Sequence, residues 1–180
     1  VVALGFFGAT LTALSEYAFK SALKHAYDAA ELPFLLSAFG VVSNVVVLLL
    51  QGAFTGRLVG RFGVGRTLQL GPLLLGGVAV FAPFLPPVAG ATTVRLTETV
   101  AKYGAGNSVA DILLVPLPRL VRTRAKVSVK GAASPLGAVL AGLTLSLFGE
   151  AGPSPWVQFA LIIGFSLTLL LMVRGAPEAY

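Results

Sequence analysis

The chain has 180 residues and a net charge of +6; 56% of its residues are hydrophobic and only 11% are charged. Soluble domains have about 25% charged residues, so this composition excludes an ordinary soluble domain and predicts a protein of the lipid bilayer. The lack of cysteine excludes disulfides and thiolate metal sites, and a single histidine, His25, cannot form a metal cluster. We expect the basic excess to orient membrane loops rather than to bind nucleic acid.

Four uncharged stretches are long enough to span a bilayer. A helix needs about 20 mostly apolar residues to cross the hydrocarbon core, and residues 32–56, 67–86, 131–149 and 155–173 provide them. These spans should be helices, because backbone groups in lipid must be satisfied within their own segment. The apolar run at residues 45–50 does not alternate with polar residues, which argues against the strands of a membrane barrel.

Two further predicted spans carry charged residues. They are residues 1–23, and residues 87–117, where Gly104 and Gly106 predict a bend or a partly unwound segment. The six spans together predict an all-α membrane protein in which residues 1–180 form one six-transmembrane-helix bundle. The chain begins inside an apolar run without an initiator Met or a signal-peptide pattern, so we expect it to be a piece of a longer protein.

The distribution of Lys and Arg predicts the orientation of the spans. If the spans alternate in direction, nine basic residues fall on one side: Arg57, Arg61, Arg66, Arg119, Arg122, Arg124, Lys126, Lys130 and Arg174. Basic loops are usually cytoplasmic. We therefore expect these loops, and both ends of this piece, to lie in the cytoplasm.

The segment at residues 56–66 is predicted to be a gating loop after the second span. It resembles the loop signature of the major facilitator superfamily, G-x-L-a-D-R-x-G-R-R, and Gly60 at the acidic position fits the weaker second copy of that signature. Glycines allow a tight turn there, and arginines can reach helix C-terminal carbonyls. A generic basic turn is the alternative. The residues that carry the resemblance are Gly56, Arg57, Arg61, Gly63 and Arg66.

Charged residues inside the spans are the main candidate binding residues. Glu16 and Lys20 are four residues apart and can pair on one helix face. They form a functional site or, alternatively, Lys20 snorkels to the interface and Glu16 merely pairs with it.

A second group of charged residues forms a stripe on the fourth predicted span. Arg95, Glu98 and Lys102 follow the i, i+3, i+7 pattern of one helix face. Their surplus positive charge suits an anionic substrate in a central cavity. An internal ion-pair lock between helices is the alternative.

Polar residues in two other places are candidates for substrate binding. Asn44 and Gln51 share a face of the second span, where they can bind substrate or simply hydrogen-bond a neighbouring helix. The basic segment between Arg119 and Lys130, which includes Lys126, can meet an anionic substrate at the cytoplasmic mouth, or anionic lipid.

The order of several short motifs resembles the ATP/ADP translocase-like group of nucleotide transporters, which is related in fold to the major facilitator superfamily. Residues 16–20 (E-Y-A-F-K) are similar to its D-Y-x-F-K, residues 113–117 (L-L-V-P-L) to its L-L-x-x-P-L, and residues 122–126 (R-T-R-A-K) to its R-x-R-A-K. The resemblance covers about residues 11–145. It implies helices seven to twelve of a twelve-helix adenine-nucleotide exchanger in a bacterial inner membrane, with Lys20 and Lys126 on phosphate and Glu16 as partner.

The sequence therefore predicts half of a secondary membrane transporter, an antiporter working by alternating access on an anionic solute such as a nucleotide. Its partners would be the bilayer, a missing N-terminal transmembrane half, and an anionic solute, for which the resemblance implies ATP or ADP. The alternative is a non-transporting membrane anchor or sensor module. We expect no enzyme activity and no cofactor, because no nucleophile–base pairing is visible.

Overall fold

The structure, a computed structural model, describes residues 2–51, 56–106, 118–148 and 152–174, and these ranges contain no β-strand. Some of the α-helices are extended by short helical segments of other types. These are a 3₁₀ turn at Ala82–Phe84 and π-helical segments at Val100–Gly106 and Val129–Ala133. The α-helices of the described ranges are α1 (Val2–Ala26), α2 (Leu32–Leu50), α3 (Gly56–Phe81), α4 (Pro87–Thr99), α5 (Arg119–Ser128), α6 (Ser134–Ser146) and α7 (Pro155–Arg174).

Helical stretches of membrane-spanning length make up most of the described ranges. The stretches that are long and apolar enough to cross a membrane are Val2–Ala26, Leu32–Leu50, Gly65–Phe84, Arg119–Ser146 and Pro155–Arg174. This confirms an all-α protein of membrane type. The complete six-helix bundle stays a prediction.

The charged span predicted at residues 87–117 begins as α4 and continues through the π-helical segment to Gly106. Residues 107–117 lie outside the described residues. Pro87 occupies the first turn of α4, where a missing N–H costs nothing and the fixed φ favours helix. The widened turns at Val100–Gly106 occur where the sequence predicted a bend or partial unwinding.

Helix α1 is central to the packing. It packs against α4, α6 and α7, while α3 packs mainly against α7. Helix α2 lies at the edge and packs mainly against the π-helical segment after α4. In lipid, van der Waals packing of side chains and hydrogen bonds between helices drive this association, because the surrounding acyl chains are as apolar as the core. The core includes Leu11, Leu14, Ala18, Leu75, Ala79, Val94, Phe159 and Ile162.

Small residues bring α1 and α6 into close contact. A Cβ atom added at Gly137 would collide with the carbonyl oxygen of Phe6. The Thr10 hydroxyl, fully buried, donates a 3.0 Å hydrogen bond to the Gly137 carbonyl. Close backbone approach through small residues, with a polar contact across it, is a common means of helix association in membranes.

The predicted gating loop is mostly helical, so the loop prediction was wrong. Residues 56–66 belong to α3, which is broken only at Gly63, where φ is 76° and ψ is 169°. That conformation is essentially restricted to glycine. Gly56, Gly60 and Gly65 lie in helical backbone, because an isolated glycine weakens a helix by only about 1 kcal/mol and does not by itself end one.

The basic segment predicted as a loop before residue 131 is also helical. It forms α5, which runs through the π-helical segment Val129–Ala133 into α6 without an intervening loop. The segment is rich in Arg, Leu, Ala and Lys, which favour helix. Pro135 provides a physical reason for the wide turns, since it lacks the N–H that would bond the carbonyl four residues earlier.

Candidate functional site

Helices α1 and α4, with the π-helical segment that follows α4, form a polar cluster where they pack together. Residues three or four apart share a helix face, so each helix presents a row of polar side chains to the other. The members, which we call the α1–α4 cluster, are Thr12, Ser15, Glu16, Lys20, Arg95, Glu98 and Lys102.

The innermost part of the cluster is a buried ion pair. Arg95 Nη1 lies 2.7 Å from Glu98 Oε2, and the Glu98 side chain is only 6% exposed. The Thr12 hydroxyl donates a 2.6 Å hydrogen bond to the other Glu98 oxygen. Both carboxylate oxygens of Glu98 are therefore satisfied, as a buried charge requires.

Arg95 also connects the two helices. Its guanidinium donates to the Ser15 hydroxyl at 3.2 Å and to the Thr12 carbonyl at 3.3 Å. Its Nη2 lies 3.5 Å from Glu16 Oε2. A guanidinium presents five N–H donors in a fixed fork, so one Arg95 side chain can serve several acceptors of α1 together.

The outer part of the cluster, formed by Glu16 and Lys20, is more exposed than the buried pair. Lys20 Nζ lies 2.6 Å from Glu16 Oε1, and the two side chains are 57% and 40% exposed. The predicted pairing of Glu16 with Lys20 is thus present. It is joined to the buried pair through the contact between Glu16 and Arg95.

Lys102 is held differently from the other charged members. Its ammonium donates a 3.2 Å hydrogen bond to the Thr12 hydroxyl and lies 5.2 Å from the centre of the Tyr103 ring. Among the described residues, no carboxylate lies within ion-pair distance of it. The Thr12 hydroxyl accepts a hydrogen bond from Lys102 and donates one to Glu98, so Thr12 acts as both donor and acceptor.

The cluster carries a surplus of one positive charge, from three cations and two carboxylates. Arg95 and Lys20 each have a carboxylate partner, so the surplus lies at Lys102. Ionisable groups inside a membrane are costly and usually mark substrate or ion pathways. The arrangement can therefore hold an anion by charge and hydrogen bonding, without covalent chemistry.

The other predicted binding residues lie apart from the contacts described above. The Gln51 amide donates to the carbonyl of Tyr103 at 2.5 Å, which ties α2 to the π-helical segment. Asn44 is exposed on α2. Lys126 is exposed on α5, whose main packing partner is the π-helical segment that follows it.

Two cluster members were missed by sequence reasoning. Thr12 contacts Glu98, Arg95 and Lys102, and Ser15 contacts Arg95. Their only sequence signal is the position of Thr12 four residues before Glu16, on the same helix face. Hydroxyl residues are common in membrane helices, so this signal does not single them out.

The fold and the cluster define an all-α protein with membrane-length apolar helices and a charged contact between α1 and α4, from Glu16 to Arg95. No group of three His, Cys, Asp or Glu side chains in the described ranges is arranged to hold a metal ion. Comparisons with protein-family models, curated proteins and solved structures found no significant match.

Proposed function

We propose that this chain is the C-terminal half of a secondary transporter of major-facilitator type, which moves an anionic solute by alternating access. In this proposal the half works against an N-terminal transmembrane half, and the α1–α4 cluster faces the solute path between them. The basic ends of the helices lie in the cytoplasm of a bacterial cell. The mechanism consists of binding and rearrangement, with no bond made or broken in the solute.

The observation that carries the proposal is the surplus positive charge at Lys102. Among the described residues its ammonium hydrogen-bonds one neutral hydroxyl and has no carboxylate partner, whereas the other two cations of the cluster have carboxylate partners at 2.6 and 2.7 Å. An intramembrane ammonium without a carboxylate partner is energetically costly, and an arriving anion would relieve that cost. Lys102 is therefore the residue that we expect to contact the solute first.

The position of the cluster along the helices also supports the proposal. The helical run from Pro87 to Gly106 places Arg95 roughly 12 Å from its beginning, at 1.5 Å per residue. With Pro87 at the edge of the hydrocarbon core, which is about 30 Å thick, Arg95 would lie near the middle of the bilayer. Transporters commonly bind solute and coupling ions near the bilayer midplane.

The nucleotide assignment rests on the resemblance to the ATP/ADP translocase-like group. By that resemblance Lys20 and Lys126 contact phosphate, and Glu16 is the partner of Lys20. The α1–α4 cluster includes Lys20 and Glu16. Lys126 would contribute from the basic end of the bundle, on α5.

The test is uptake into proteoliposomes that contain the full-length protein. Labelled ATP is supplied outside, with and without ADP inside, for wild type and for Lys102→Gln, Lys20→Ala and Lys126→Ala. Lys24→Gln is the matched control, because Lys24 is exposed at the end of α1 and outside the cluster. We expect uptake to need internal ADP, to persist in the control, and to fall at least about tenfold in Lys102→Gln, the rate equivalent of about 1.4 kcal/mol.

The outcomes separate the parts of the proposal. Uptake of another anion, lost in Lys102→Gln, would retain transport and remove the nucleotide assignment. Absence of uptake for every anion tested, with the protein folded, would overturn transport.

A second candidate is a non-transporting anchor or sensor module, which the Arg95–Glu98 pair favours. This pair is buried and joined to α1 through Thr12, as a fixed lock between helices would be. In that case the cluster serves stability alone. Lys102→Gln would then leave every solute flux unchanged, whereas loss of the buried pair would destabilise the fold.

A further inference from the structure

A cavity of about 280 Å³ lies between α3 and α7, outside the α1–α4 cluster. It opens on the outer surface of the bundle, since Arg66, Leu73 and Arg174 on its wall are exposed. The cavity is lined by Phe62, Arg66, Gln69, Leu70 and Leu73 of α3 and by Leu170 and Arg174 of α7.

The two arginines and Phe62 line one end of the cavity, and leucines line the other end. On α3, residues 66, 69, 70 and 73 follow the i, i+3, i+4, i+7 spacing of one helix face. Leu73 is about 10 Å along the helix from Arg66, and Leu170 is about 6 Å from Arg174. Both arginines therefore lie at one end of the cavity, and the leucines extend from them towards the middle of the helices.

The two arginines have no acidic partner in the part of the chain that the structure describes. They differ in this respect from Arg95, which lies against Glu98. A guanidinium matches the geometry of a phosphate and can donate two parallel hydrogen bonds to it. Two such groups on one cavity wall therefore indicate an anionic ligand with phosphate oxygens.

We propose that this cavity binds an anionic glycerophospholipid, with its phosphate on Arg66 and Arg174 and an acyl chain along Leu70, Leu73 and Leu170. The leucine end favours a lipid over a free phosphate, which would leave that end unfilled by apolar atoms. The cavity opens on the outside of the bundle, where a bilayer lipid can enter. Basic pockets between transmembrane helices are known to select such head groups. This inference is independent of transport and needs only the membrane-spanning fold.

Lipid retention by the full-length protein is the test. The protein is incorporated into nanodiscs of phosphatidylglycerol mixed with phosphatidylcholine, extracted in mild detergent, and its bound lipid is counted by native mass spectrometry. The test variant is Arg66→Gln/Arg174→Gln. The matched control is Arg119→Gln/Arg124→Gln, which removes two exposed arginines from α5.

We expect wild type and control to retain phosphatidylglycerol in preference to phosphatidylcholine. In the test variant the retention should fall about 10- to 30-fold, as expected for the loss of two basic contacts with an anionic lipid. An equal loss in both double variants would overturn the proposal, because it would indicate general attraction to a basic surface.

A cavity-filling variant tests whether the bound phosphate belongs to a lipid or is free, and it leaves the charge of the cavity unchanged. Leu73→Trp places a large side chain at the apolar end and leaves both arginines in place. Lipid binding predicts loss of phosphatidylglycerol in this variant. Unchanged retention, or wild-type protein that binds glycerol phosphate as strongly as phosphatidylglycerol, would overturn the acyl-chain assignment and the lipid proposal with it.

Discussion

The same chemical change at two glutamates of the α1–α4 cluster should have very different effects on stability. Glu98→Gln removes the charge from a carboxylate that is 6% exposed and lies 2.7 Å from Arg95. Glu16→Gln removes the charge from one that is 40% exposed and lies 2.6 Å from Lys20. The two substitutions have the same size and chemistry, so each is the control for the other.

The expected magnitudes follow from burial and from the partners that remain. Breaking a buried ion pair costs roughly 3–5 kcal/mol in soluble proteins. After Glu98→Gln, Arg95 retains Glu16 at 3.5 Å, so we expect the lower end of that range, about 3 kcal/mol. An exposed pair contributes only about 0–1 kcal/mol, which is the loss expected for Glu16→Gln.

Reversible unfolding of the full-length protein in mixed detergent micelles measures these losses. A double-mutant cycle with Arg95→Gln should give a coupling with Glu98 of at least about 1 kcal/mol, because charged partners in contact are not additive. The reasoning would be refuted if Glu98→Gln and Glu16→Gln cost the same within about 0.5 kcal/mol. Coupling near zero between Arg95 and Glu98 would refute it as well.

Two glycine substitutions test the helix packing and the break in α3, with the same unfolding assay. Gly137→Leu should lose about 2 kcal/mol through collision with the Phe6 carbonyl, whereas Gly142→Leu, which has open space around its Cβ position, should change little. Gly63→Ala should lose about 1–3 kcal/mol because of its positive φ, whereas Gly65→Ala should be neutral or stabilising. Equal losses for Gly137→Leu and Gly142→Leu would contradict the close contact with Phe6. Equal losses for Gly63→Ala and Gly65→Ala would contradict backbone strain at Gly63.

Sequence periodicity predicted the local part of the candidate site. The spacing of Arg95, Glu98 and Lys102 placed them on one helix face, and the spacing of Glu16 and Lys20 predicted their pairing; the structure has both arrangements. These predictions need only the 3.6-residue repeat of a helix. They say nothing about which helix faces which.

The contacts between helices could not be predicted in this way. The polar face of α1 packs against α4 through hydrogen bonds between residues 80 to 86 positions apart in the chain, and a single sequence has no signal for this choice of partner. The role of Thr12 follows only from that packing. Gln51 and Tyr103 likewise meet because α2 lies beside the π-helical segment.

The basic segments show that charge alone does not predict backbone conformation. Charge and glycine at residues 56–66, and charge at residues 119–130, predicted loops, but both segments are helical. Positive charge indicates which side of the membrane a segment occupies. It does not determine backbone conformation, because Arg and Lys are good helix formers.

Glu98 and Lys102 share the Thr12 hydroxyl, yet their contacts assign them different roles, and this difference separates the two candidate functions. When Lys102 becomes Gln it loses one hydrogen bond to a neutral hydroxyl and its contact with the Tyr103 ring. Hydrogen bonds between membrane helices average about 0.6 kcal/mol and a cation–π contact contributes about 0.5–1 kcal/mol, so the fold should tolerate the change. A transporter should then lose solute uptake in Lys102→Gln while keeping its stability. A protein that uses the cluster only as a lock should respond to Glu98→Gln alone, and a stable Lys102→Gln protein with unaltered solute flux would assign the cluster to the lock.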